Sequence, residues 1–74
     1  MRIHEGRHPA TVGILQWFNA EHLSPPLRKI ADPIAELADD LVYQLPDGPE
    51  LTAGLRKLLE AKDCFVRAKL EQLS

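Results

Sequence analysis

From Leu51 to Leu73 the chain reads LTAGLRKLLEAKDCFVRAKLEQL, with apolar residues recurring at helical spacing. At about 100° of rotation per residue, Leu51, Leu55, Leu58, Leu59, Phe65, Val66, Leu70 and Leu73 share one face. A long amphipathic helix is therefore expected here, and it must bury that face against other helices. Lys62 and Lys69 fall inside the same face, and Arg56, Asp63 and Arg67 stack along one flank. Removing an unpaired charge from water costs several kcal/mol. The lysines must then reach solvent along the helix surface, pair with acids, or meet an anion. Within the helix, Arg56–Glu60, Asp63–Arg67 and Arg67–Glu71 have the spacing of ion pairs, whereas Lys69 could reach Glu50 only in another subunit.

Upstream, two further helical segments are expected. The first starts at His8-Pro9, because proline at the first helical position loses no hydrogen bond there. Val12, Ile14, Leu15 and Phe18 form its inner face, Leu23 closes its end, and Trp17 points away from Leu15. Ser24-Pro25-Pro26 is a break, with Ser24 suited to cap the next helix. That helix runs from about Pro26 to Leu45, with Leu27, Ile30, Ile34, Leu37, Leu41 and Leu45 spaced by three or four and Ala38 and Val42 beside them. Pro33 lies inside it and either kinks or breaks it. Gln44-Leu45-Pro46-Asp47-Gly48-Pro49 is a turn. Glu50 then suits the positive end of the last helix. No strand, repeat or low-complexity pattern is present. The expected fold is all-α: an N-terminal arm over residues 1–7, then a single domain over residues 8–74. In that domain a short helix packs on an antiparallel two-helix hairpin.

A chain of 74 residues buries a modest share of its unfolded surface. Cys64 is the only cysteine, so no intrachain disulfide forms, and it sits opposite the apolar face. His4, His8 and His22 are scattered, and nothing has the spacing of a zinc site. Self-association is the remaining staple for a small scaffold. The net charge of −2 speaks against DNA binding, which favours a basic excess. No apolar run approaches a membrane span, and the first residues lack the apolar core of a signal peptide, so a cytoplasmic protein is expected. Ser24, Ser74, Thr11 and Thr52 sit at helix starts or at the terminus, and no nucleophile–base–orienter set emerges. No enzyme, metal or cofactor is expected.

The stretch PELTAGLRKLLEAKDCFVRAKL, with HPATVGILQWFNAEHLSPPLRKIADPIAELADDLVYQLPDG before it, resembles the helical-hairpin domain of phage anti-CBASS and anti-Thoeris sponge proteins, of the kind carried by actinobacterial phages. The resemblance spans about His8 to Leu70 and is strongest over AKDCFVRA, residues 61–68. It implies immune evasion in the cytoplasm of an infected bacterium. Such proteins assemble as homo-hexamers and sequester cyclic dinucleotides, and in some members cyclic trinucleotides or cyclised ADP-ribose signals, without degrading them. By position, Arg67 would contact phosphate, with Lys62 and Asp63 along the same stretch and Arg56 on the same flank. Trp17 or Phe18 would stack on a base, although another register puts Ala20 at that place. The chain also departs from the pattern before the proline, with Asp32 where a basic residue is frequent and Arg28 and Lys29 one turn earlier.

Overall fold

The computed structural model describes residues 4–74. Among them are three α-helices and no strand: α1 (Pro9–Leu15), α2 (Pro25–Gln44) and α3 (Pro49–Leu73), with a 3-10 turn over Gln16–Phe18 extending α1. Each α-helix begins on proline. At α1 the cap is His8, whose Nδ1 accepts from the Ala10 amide at 3.0 Å. At α2, Ser24 occupies the capping position, but its backbone carbonyl rather than its hydroxyl takes up the first amides, Leu27 N at 3.0 Å and Arg28 N at 2.9 Å. The helix passes Pro33 without interruption. The proline ring lies on the solvent side, where the missing N–H and the crowded Lys29 carbonyl are best tolerated.

The short turn at 45–48 folds α3 back along α2, so the two run antiparallel, and α1 packs across both. The core gathers where all three meet: Leu15 and Phe18 from the first element, Ala38 and Val42 from α2, Leu51 and Leu55 from α3. Phe18 is fully buried. Ile14, Ile34, Ala35, Leu58 and Leu59 border this cluster.

Helical periodicity located the helices but misplaced parts of their inner faces. On α2 the buried column is Leu27, Ala31, Ala38 and Val42, while Leu37 and Leu45 are 47% and 45% exposed. The alanines win because their small side chains let α1 approach the α2 backbone, and the adjacent leucine column turns outward. On α1, Thr11 is buried and Val12 is not. On α3, Phe65, Leu70 and Leu73 are largely exposed, because α1 covers the turn half of the hairpin and, among the described residues, nothing covers its far half.

In the arm, His4 meets the Asp39 carboxylate on α2, and its side chain is mostly buried. Arg7 donates to the carbonyls of Val42 and Leu45 and, at 3.1 Å, to Asp47. Residues 4–7 are thus strapped to the end of α2. Gly6, at φ 76°, makes the bend in this strap that an L-residue would resist. The arm's residues 1–3 lie outside the described part of the chain.

Candidate ligand-binding site

Lys62 was the puzzle of the apolar face, and the fold resolves half of it. It is 7% exposed, and its Nζ donates to the Trp17 carbonyl at 2.8 Å and lies 3.5 Å from the Asp63 carboxylate. The Trp17 carbonyl sits in the last turn of the first element, where carbonyls lack helical donors and the local dipole favours a cation. Lys62 thus bolts α3 to the first element while keeping its charge hydrogen-bonded.

Trp17 is 63% exposed, and its backbone carbonyl is the one that Lys62 holds. Arg67 lies one helical turn beyond Asp63, with Arg56 two turns before it on the same exposed flank. The expected intrahelical pairs of Arg67 do not form; its guanidinium donates to Cys64 Sγ at 3.4 Å. Lys69 bonds Gln72 at 2.7 Å. Of the six residues singled out, Lys62 meets the Trp17 backbone and Asp63, while Arg67 and Arg56 lie farther along α3, after and before them, and are exposed. Phe18 does not join them: its ring is in the core, with no face for a ligand. Trp17 and Arg67 are both exposed, offering a flat aromatic and a guanidinium to solvent.

A second feature escaped the sequence reading. Asn19, Ala20, Glu21, Arg28, Asp32, Ala35, Glu36 and Asp39 line a cleft of about 200 Å³ between the loop that follows Phe18 and α2. It collects Ala20, Asp32 and, one turn before Asp32, Arg28. Four carboxylates face one guanidinium there, and Arg28 lies 3.9 Å from Asp32. Such an acidic cleft is unfavourable to phosphate. The only hint in the sequence was the four-residue spacing of Arg28 and Asp32.

Also unforeseen is Asp47 in the turn. It accepts from Thr11 Oγ1 at 2.8 Å, the His8 amide at 3.1 Å and Arg7 Nε at 3.1 Å. The Thr11 hydroxyl, then the His8 amide and the Arg7 charge, hold its carboxyl below the usual range against an opposing desolvation. Turn chemistry marked Asp47 as a turn residue, but its partners lie some forty residues upstream. Among the described residues no three metal-ligating side chains cluster, and no helix is long and apolar enough to cross a membrane.

No family model, curated protein or solved structure matches the chain.

Proposed function

We propose that the protein binds and sequesters cyclic oligonucleotide second messengers, cyclic di- or trinucleotides, without degrading them, as a phage protein acting in the cytoplasm of an infected bacterium. The reading starts from the resemblance of residues 8–70 to the sponge proteins. The observation that supports it on the molecule is an exposed Trp17 whose backbone carbonyl is held by Lys62 beside Asp63, with Arg67 one turn farther along α3. Indole stacking on a base and guanidinium pairing with a phosphate are the two contacts such a ligand offers. A homo-oligomer, a hexamer by the resemblance, would bring two or more copies of this open surface together and supply the missing wall. Sequestration asks for no nucleophile or general base.

The test is a thermal-shift screen against cyclic dinucleotides, cyclic trinucleotides and cyclised ADP-ribose. A ligand at 100 times its dissociation constant stabilises each site by about 2.7 kcal/mol. The ligand should be recovered intact after denaturation. Arg67→Ala should lose at least about tenfold in affinity, with helix content and mass unchanged. No shift with any of the three classes would sink the reading.

A second reading rests on Lys62. Its charge is already satisfied inside the chain by the Trp17 carbonyl and Asp63, as in a protein-interaction module with no nucleotide ligand. Such a module would show no shift in the same screen.

A further inference from the structure

Helix α2 ends without a cationic cap of its own. Its last turn holds no basic residue, and Leu45 after it is extended. The carbonyls of such a turn lack helical donors and favour a cation. The arm supplies one. Arg7 donates to the Val42 carbonyl, to the Leu45 carbonyl at 2.7 Å and, through Nε, to Asp47 at 3.1 Å. One guanidinium thus closes α2 and grips the turn that sends α3 back. The arm's other foot is His4 on Asp39, with both side chains largely buried. From Asp39 to Leu45 is roughly 9 Å along the helix axis. Between the feet lie only Glu5 and Gly6, and residues 4–7 carry no large apolar side chain. The strap can therefore leave without uncovering the core, which α1 cannot do while Leu15 and Phe18 are buried in it. Gly6 holds the bend at φ 76°, and a Cβ added there would meet nothing within 4 Å. That left-handed bend is a demand of the closed strap alone.

We infer that residues 4–7 are a latch that opens and closes as one unit on folded helices, with Gly6 as its hinge, so that Asp39 in the cleft wall and Asp47 in the hairpin turn are coupled through the arm. Every hold the latch has is polar, and its two feet are joined by a segment too short to let one move freely of the other. Coupling of this kind is reciprocal. Whatever draws Asp39 away from His4 loosens Arg7 on the turn and on the end of α2. A change at Asp47 in turn loosens His4 on the wall of the cleft. The device is independent of any nucleotide ligand, and the test involves none.

The experiment is hydrogen exchange by nuclear magnetic resonance on the full chain, with far-ultraviolet circular dichroism as a check on folding. Two protons report on the latch: the Arg7 amide, which donates to the His4 carbonyl at 3.4 Å, and the Arg7 Nε–H on Asp47. In the wild type both should show the same protection, well below that of the Leu55 amide in the core. Gly6→Ala removes no contact and strains only the closed bend, so opening at both protons should rise about fivefold or more. The same substitution made with D-alanine, by total synthesis of the chain, fits the bend and should lower opening by about twofold or more. His4→Ala should raise exchange at Arg7 Nε–H by about twofold or more, although that proton bonds Asp47 and not His4. Arg7 protons as protected as Leu55 would mean that the strap opens only when the chain unfolds, and would overturn the inference. So would L- and D-alanine acting alike at position 6, or a His4→Ala chain whose Arg7 Nε–H exchanges as in the wild type, since the two feet would then hold separately.

Discussion

Neighbouring residues of the same chemical class have opposite fates in this protein. Phe18 and Trp17 are adjacent aromatics, one fully buried and the other mostly solvated. Phe18→Ala should cost about 3–5 kcal/mol, a large part of what a domain this small holds, and should abolish the cooperative thermal transition. Trp17→Ala should change the melting temperature little and, on the proposed function, weaken ligand binding instead, as calorimetry and the ligand screen would show. Asp47 gives a pH signature. Its folded pKa lies below the ordinary value, so it contributes stability above the unfolded carboxylate range and loses it as pH falls through the folded pKa. Asp47→Asn should therefore be less stable than the wild type at pH 7. The gap should close as both are acidified, which urea titrations at stepped pH would reveal. A gap of constant size would mean that the hydrogen bonds alone matter.

The helices owe their ends to residues and their faces to neighbours. Proline at the start of each α-helix and the Pro-Asp-Gly turn punctuate the chain as expected. Which side each helix buries was decided by packing: α2 presents two adjacent apolar columns, and the fold buries the alanines. Helix α1 is only seven residues long and carries Gly13 in its interior, where an added Cβ would meet nothing within 4 Å. Gly13→Ala should stabilise the protein by about 0.5–1 kcal/mol through backbone entropy. That is an increase of several degrees in melting temperature, readable by calorimetry. A loss of stability would show that α1 meets a neighbour at that position.

As a whole the molecule is more open than its mass requires. Its accessible surface is 5207 Å², against roughly 4600 Å² for a closed monomer of this mass. Its radius of gyration is 12.8 Å, against about 11 Å for a compact chain of this length. The excess lies in the 41 Å long hairpin, one face of which is uncovered. If copies associate across that face, the melting temperature should rise with protein concentration, because association stabilises the folded state by mass action. Scans over a hundredfold range of concentration would test this, and a constant melting temperature would count against association.

Local chemistry carried by neighbouring residues was legible in the sequence. Helix positions, the turn at 45–48, the exposure of Trp17 and the misfit of Lys62 all follow from spacing, capping and charge within a few residues. What the sequence could not say is which partner each group meets across the fold. Lys62 finds a carbonyl 45 residues away, Asp39 meets His4, Asp47 takes Thr11, and the Ala31–Ala38 column outcompetes Leu37. Those outcomes depend on how closely one helix can approach another and which desolvated polar group is left to be paired. Both quantities exist only once the three helices are packed.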